Sequence, residues 1–132
     1  MQRSLFPKDL PTSKSTRIAI ILGGVCGASG VALMARSAHA DTTGLMRTAA
    51  EMLLFHAPAF LGLAALAQIK RISLLPIALA LLAIGLALFC GDLLVRAQFE
   101  QRLFPMAAPS GGVLIILGWI AVALSALLIR SR

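Results

Sequence analysis

Five ionisable side chains in this sequence are of the types that carry out chemistry in proteins. They are His39, Glu51, His56, Asp92 and Arg96. Imidazole and carboxylate groups act as general acids and bases, and chains of them carry protons in membrane proteins. The spacing predicts His56 and Asp92 at similar depth on antiparallel helices, with the other three at the same level. This candidate polar cluster is where a proton, an ion or a small polar ligand would bind.

The same residues also have a purely structural interpretation. Asp92 and Arg96 are four residues apart and can neutralise each other on one helix. His56 can hydrogen-bond across helices and hold them together. Ionisable groups inside a bilayer cost about 2.5 to 3.5 kcal/mol each, so they face the interior and find partners. We favour structural pairing over binding of a lipid, quinone or small polar ligand, and over proton or ion movement.

Catalysis and cofactor binding are not expected from this sequence. Two histidines can ligate a haem, but His39 lies beyond its apolar segment, and a Soret band in the purified protein would be needed to show such binding. Cys26 and Cys90 are too far apart to form a metal-ligand motif. Ser110 and Ser125 have no evident base to activate them. We therefore predict no enzyme activity, no metal and no cofactor.

Four apolar stretches must position these residues, and they fill most of the 132-residue chain. They lie at about 18–35, 49–69, 72–95 and 112–129. About 20 apolar residues suffice for a helix to cross a bilayer core. A composition of 59% hydrophobic and 13% charged residues leaves little for a water-facing surface. We predict an all-α integral membrane bundle of four transmembrane helices over residues 18–132, preceded by a basic flexible cytoplasmic arm at 1–17.

The net charge of +7 falls on one side of the membrane if the four spans alternate in direction. The positive-inside rule then places both termini in the cytoplasm. Basic residues there favour anionic lipid headgroups. No nucleic-acid partner is expected, because no recognition module accompanies the charge. The basic residues of this side are Arg3, Lys8, Lys14, Arg17, Lys70, Arg71, Arg130 and Arg132, against the single acid Asp9.

The first span is followed by Ala38-His39-Ala40, which imitates a secretory cleavage site. Its apolar run of about 18 residues is longer than the core of about 7 to 15 residues that signal peptides use. We therefore expect this segment to stay in the protein as a membrane helix.

Three glycines in the first span, Gly23, Gly27 and Gly30, allow close approach of another helix, and the first two form a GxxxG motif. We predict that they pack inside this bundle rather than form a dimer face. Trp119 lies deep in the fourth span and is expected to pack against another helix. The segment 96–111 is expected to lie along the outer interface, and four residues are expected to break the helix there: Pro105, Pro109, Gly111 and Gly112.

Several short motifs occur in a specific order: Ser37-Ala38-His39, Phe55-His56-Ala57, Leu88-Phe89-Cys90-Gly91-Asp92-Leu93, and Ala108-Pro109-Ser110-Gly111-Gly112 before Gly118-Trp119. In this order and spacing they resemble the YgdD-like small bacterial membrane proteins, a domain-of-unknown-function family. The resemblance covers about residue 18 to the C-terminus and implies a four-helix membrane protein with no established activity. This chain departs from the family at Ser37 and Ala40, where glycine is usual, and at Asp92, where serine is frequent.

Two hypotheses for function follow. We favour a small accessory or assembly subunit of the cytoplasmic (inner) membrane that packs beside a larger membrane complex, because the helices are glycine-lined and lack a catalytic set. The alternative is a small oligomeric transporter or channel, or a lipid- or quinone-binding membrane protein, that uses the polar cluster. Four helices hardly enclose a pore, so transport requires self-association. Under that hypothesis, His56→Ala and Asp92→Asn abolish a flux in liposomes.

Overall fold

A computed structural model describes residues 11–129 as four α-helices. These are α1 (Lys14–Ala40), α2 (Leu45–Ile69), α3 (Leu75–Phe99) and α4 (Ala107–Leu128). They contain 27, 25, 25 and 22 residues, so at a rise of about 1.5 Å per residue each can cross a hydrocarbon core of about 30 Å. All four are apolar enough to do so. The prediction of an all-α bundle with four membrane-spanning helices is confirmed, and residues 11–129 contain no strand.

The first helix begins earlier than its apolar segment indicates. Its first residue is Lys14, so residues 14–17, which were predicted to belong to a flexible arm, form a helical turn. The Ser13 side chain accepts a hydrogen bond from the Thr16 N–H at 3.1 Å, which satisfies one of the free amides at the helix start. The part of the predicted arm at residues 1–10 lies outside the described residues.

The second and third helices also extend beyond their apolar segments at the same end of the molecule. α2 starts at Leu45 rather than near residue 49, and α3 continues to Phe99 rather than ending near 95. Charged side chains such as Arg47 and Arg96 mark the end of an apolar segment in the sequence. They do not end a helix, because backbone hydrogen bonding continues into the headgroup region.

The helices pack as two hairpins. α1 lies along α2 and α4 lies along α3, while a smaller α2–α3 contact joins the hairpins. In that contact the Cys90 thiol lies 3.6 Å from the Ala49 carbonyl oxygen. Among residues 11–129 the backbone of α4 approaches only that of α3. The start of α1, the 70–74 turn and the end of α4 lie together, and we call this the basic end. The loops 41–44 and 100–106 form the opposite end.

The bundle is apolar outside and polar at a few internal positions. Ile21, Val31 and Leu127 are 62%, 61% and 81% exposed. His56 and Asp92 are 6% and 2% exposed. This distribution is the reverse of a water-soluble fold and suits a helix bundle that is surrounded by lipid.

The α3–α4 connection is shorter than predicted. Met106, at a left-handed φ of 68°, precedes α4, which starts at Ala107. Pro109, Gly111 and Gly112 therefore lie inside α4 and do not break it, and only Pro105 of the four predicted breakers is in the loop. Proline is tolerated in a first helical turn because its missing N–H would have no intrahelical partner there. The loop side chains Leu103, Phe104 and Met106 are exposed, and their position along the outer interface stays a prediction.

Glycines form the close contact in each hairpin. A Cβ at Gly23 or Gly30 would lie 2.8 Å from a side chain of α2, and one at Gly27 would lie 3.7 Å from the Ala57 Cβ. The three glycines of the first span thus face α2, within the bundle. A second seam, which the GxxxG pattern did not indicate, joins α3 to α4 and consists of Gly85, Gly111 and Gly118.

Candidate functional site

His56 forms a polar link between the two hairpins. It lies on α2, about three turns after Leu45. Its Nδ1 is 2.7 Å from the Met52 carbonyl oxygen, and its Nε2 is 3.2 Å from the Trp119 indole nitrogen on α4. The two rings are tilted, with centroids 5.8 Å apart. The prediction that Trp119 packs against another helix is confirmed, and the helix is α2.

The two hydrogen bonds specify one form of the His56 ring. A carbonyl oxygen only accepts, so Nδ1 carries a proton and donates it to Met52. The indole N–H of Trp119 only donates, so Nε2 must be the accepting nitrogen. The assigned state is therefore the neutral Nδ1–H tautomer. Both ring nitrogens are occupied by groups of the protein, and the interpretation of His56 as a cross-helix structural residue is supported by this geometry.

Trp119→Phe should destabilise the bundle by about 0.6 to 1.7 kcal/mol, the range of side-chain hydrogen bonds between membrane helices. The substitution keeps an aromatic ring but leaves the buried Nε2 of His56 without its donor. A double-mutant cycle with His56→Leu, read by unfolding in detergent, isolates the bond. If Trp119→Phe lowers the free energy of unfolding as much in the His56→Leu background as in the wild type, the hydrogen bond between Trp119 and His56 does not stabilise the bundle.

Asp92 holds the loop between α3 and α4 rather than a partner on α2. It lies about two turns before the end of α3 and is 2% exposed. Its Oδ1 accepts a hydrogen bond from the Leu103 backbone N–H at 2.8 Å. Its Oδ2 is 3.9 Å from the Arg96 guanidinium, so the expected pairing with Arg96 is present as a long ion pair. The sequence could not indicate Leu103, because every residue except proline offers the same backbone donor.

The other predicted cluster members lie apart from these groups. Glu51 pairs with Arg47 at 3.0 Å on the exposed side of α2, and such surface pairs contribute about 0 to 1 kcal/mol. His39 is exposed in the last turn of α1. Within residues 11–129 no hydrogen bond or ion pair joins His56 to Asp92. The five residues therefore form separate local pairs.

The depths of His56 and Asp92 explain this separation. Ala49 of α2 lies beside Cys90 of α3, and His56 lies about two turns beyond Ala49 toward the basic end, which is about three turns from the opposite end. Asp92 is about two turns from that end. The part of the chain that the structure describes contains no group of three His, Cys, Asp or Glu side chains placed to hold a metal ion.

Asp41 organises the α1–α2 loop at the opposite end. Its Oδ2 accepts the Arg47 N–H at 2.8 Å, and its Oδ1 accepts the N–H groups of Gly44 and Thr43 at 2.9 and 3.2 Å. These bonds, that of Arg47 foremost, lower the pKa of Asp41 below its usual value. The carboxylate thus caps the start of α2, where Gly44 offers no side chain to do so.

The stability of the bundle should therefore fall in acid through Asp41. Because the pKa of Asp41 is lower in the folded chain than in the unfolded chain, its contribution is complete above about pH 3.9 and is lost as pH falls through the folded pKa. Unfolding of wild type and Asp41→Asn, measured between about pH 5 and pH 2, should show a flatter pH dependence in the variant. Equal slopes would mean that the carboxylate does not stabilise this loop.

Four apolar helices, with polar side chains buried only at their internal contacts, define a multi-pass α-helical membrane protein. The chain belongs to the family described as "Protein of unknown function (DUF423)", whose model matches residues 24–112. The resemblance to YgdD-like proteins is confirmed.

The chain is similar over most of its length to proteins named "UPF0382 inner membrane protein YgdD" from Escherichia coli (strain K12) and Shigella flexneri. Each is 32% identical over 126 residues, which cover 89% of this chain and 95% of the relative. No solved structure matches the chain. The family description assigns no activity, and the chain is a member of an uncharacterised family of membrane proteins.

Proposed function

We propose that this chain is a multi-pass protein of the inner membrane and acts as an accessory or assembly subunit that packs beside a larger membrane complex. The names of its relatives support the membrane assignment. Charge supports an orientation with both termini in the cytoplasm, because the described charged residues of the basic end, Lys14, Arg17, Lys70 and Arg71, are all cations.

The main support for this proposal is that the buried polar groups are hydrogen-bonded to other groups of the protein itself. Both ring nitrogens of His56 and Oδ1 of Asp92 are hydrogen-bonded within the bundle, and the Ser125 hydroxyl donates to the Ala121 carbonyl at 2.8 Å. Among residues 11–129, every fully buried side-chain nitrogen or oxygen has a partner. These groups are occupied within single helices, in the α3–α4 connection and in the link between α2 and α4, so we infer that function lies in the outer surface.

One face of α1 is suited to a further helix. Gly24, Ala28 and Ala32 recur every four residues and are exposed. A Cβ at Gly24 would meet no atom within 4 Å, whereas Gly23 and Gly30 are already in contact with α2. Small residues at this spacing let helix backbones approach closely in lipid. We call Gly24, Ala28 and Ala32 the open face of α1, and we propose that the partner packs there.

The test is extraction of the tagged full-length chain from its native membrane in mild detergent, followed by native gel separation and mass spectrometry. A stoichiometric larger membrane protein is the expected result. Gly24→Leu should remove that partner and leave the bundle folded, because the new side chain projects into open space. The matched control is Gly62→Leu on α2, also exposed and with no atom within 4 Å of its Cβ.

Both leucine variants gain similar helix propensity, about 1 kcal/mol over glycine. A difference in partner recovery between them therefore reflects the open face of α1 and not a change in helix stability. A chain that migrates alone or only with copies of itself would contradict the accessory role. Equal partner recovery in the two variants would refute the open face of α1 as the docking surface.

Orientation has its own test. Green fluorescent protein fused to either terminus should fluoresce, because it folds in the cytoplasm, and alkaline phosphatase inserted in the 100–106 loop should be active. Active phosphatase at a terminus would reverse the proposed orientation.

A further inference from the structure

An open pocket lies at the basic end of the bundle, where α1 and α3 begin and α2 ends. Its volume is about 540 Å³. Six of its eleven lining residues are polar or cationic and the other five are apolar; the six are Ser13, Ser15, Gln68, Lys70, Arg71 and Ser73. At this end of a membrane-spanning bundle the pocket lies at the level of the lipid headgroups.

An apolar cleft adjoins the pocket. It runs between α1 and α3, has a volume of about 210 Å³ and shares Ser15 and Pro76 with the pocket. Its walls are Ile18 and Leu22 on α1 and Leu79, Ala80 and Ala83 on α3. The cleft exists because α1 and α3 scarcely touch and because Ala80 and Ala83 have short side chains. From Pro76 to Ala83 it extends about 10 Å toward the membrane centre.

The electrostatics of the pocket favour an anion. Lys70 and Arg71 line it, and Lys14 and Arg17 lie in the adjoining turn of α1. The acids among residues 11–129, Asp41, Glu51, Asp92 and Glu100, belong to the opposite half of the bundle.

Two helix N-termini, those of α1 and α3, also border the pocket and add partial positive charge. The C-terminus of α2 adds the opposite sign. The Lys70 N–H donates to the Leu66 carbonyl at 2.8 Å, which occupies one of the free carbonyls there.

We propose that the pocket and the cleft together bind one anionic phospholipid. Its phosphate lies at Lys70 and Arg71, and one acyl chain lies in the cleft between α1 and α3. A polar cationic pocket that opens into an apolar cleft matches an amphiphile that bears a negative headgroup, and basic pockets between membrane helices recognise such headgroups. The N-terminal arm of this chain is a poorer candidate occupant than an anionic lipid, because it carries two cations, Arg3 and Lys8, against the single acid Asp9. This site is independent of the accessory role.

The first experiment measures binding of phosphatidylglycerol and of phosphatidylcholine to the purified full-length chain in detergent, by native mass spectrometry. Phosphatidylglycerol should bind more tightly. Lys70→Gln with Arg71→Gln should weaken its binding about tenfold or more, at about 1 kcal/mol for each basic residue. The matched control, Arg36→Gln with Arg102→Gln, removes the same charge at the opposite end and should leave binding unchanged. Circular dichroism and elution volume establish that the variants are folded.

A second pair of variants tests the cleft. Ala83→Phe should fill it and weaken phosphatidylglycerol binding several-fold, whereas Ala87→Phe, one turn further along α3 and exposed outside the cleft, should not. Inorganic phosphate, added at millimolar concentration, should compete poorly, because it lacks the acyl chain.

Each alternative outcome overturns a part of the proposal. Equal loss from both double-glutamine variants would show only a general charge effect. An unchanged affinity in Ala83→Phe would remove the acyl chain from the cleft. Full competition by inorganic phosphate would show a phosphate site rather than a lipid site.

Discussion

Gly111→Ala should force α3 and α4 apart and destabilise the bundle by about 3 kcal/mol, the upper range for overpacking a close contact. A Cβ at position 111 would lie 2.6 Å from the Phe89 backbone nitrogen and 2.7 Å from the Gly85 carbonyl oxygen. Both are backbone atoms, so no change of rotamer can relieve the clash. The helices themselves must separate, and the contacts along the whole seam weaken.

The adjacent residue provides the control for this prediction. A Cβ at Gly112 would meet no atom within 4 Å, so Gly112→Ala should be neutral or stabilising by up to about 1 kcal/mol through helix propensity. Both variants are compared with wild type by unfolding in sodium dodecyl sulfate and by thermal melting in mild detergent. Equal stability of the two variants would show that the α3–α4 seam is looser than described.

Asp92→Ala should destabilise the protein by about 2 to 3 kcal/mol, while Asp92→Asn should cost far less. Alanine removes the acceptor of the Leu103 N–H and the ion pair with Arg96 at a site that is 2% exposed. Asparagine keeps an oxygen at Oδ1 for Leu103 and loses only the long ion pair. Hydrogen exchange of the 100–106 amides should increase strongly in Asp92→Ala and little in Asp92→Asn.

Substitution of Asp92 also distinguishes a structural role for this residue from a role in transport. A proton or ion pathway through Asp92 requires the charge, so Asp92→Asn would abolish a flux in liposomes while leaving the fold intact. The hydrogen bond to Leu103 requires only an oxygen acceptor. An Asp92→Asn protein that is as unstable as Asp92→Ala would contradict the anchoring role proposed for this residue.

The bilayer-spanning architecture could be predicted from the chain because it depends on local composition. Each run of apolar residues satisfies its own backbone hydrogen bonds as a helix, and lipid accepts its surface without regard to neighbours. The same locality explains the errors at the helix ends. Hydrophobicity stops at Arg17, Arg47 or Arg96, but the hydrogen-bond ladder continues into the polar interface, so α1, α2 and α3 are longer than their apolar segments.

The polar site could be predicted only in part. The types of His56 and Asp92 indicated that each needs a partner, because a buried ionisable group without one is costly. The identity of the partners depended on depth and on the rotation of each helix about its axis. The register of α2 against α3, in which Ala49 lies beside Cys90, places His56 deeper in the bundle than Asp92 and within hydrogen-bonding distance of Trp119.

The sequence by itself determined the class of this protein: four apolar helices, an excess of positive charge on one side, and polar residues that must be paired. Only the tertiary structure decided that Trp119 donates to His56, that Leu103 donates to Asp92, and that Gly85 meets Gly111. The physical reason is that the two kinds of interaction act over different distances along the chain. Insertion into lipid is set residue by residue along the chain, whereas contacts between helices depend on tilt, rotation and register, which small glycine-lined surfaces set only when two helices meet.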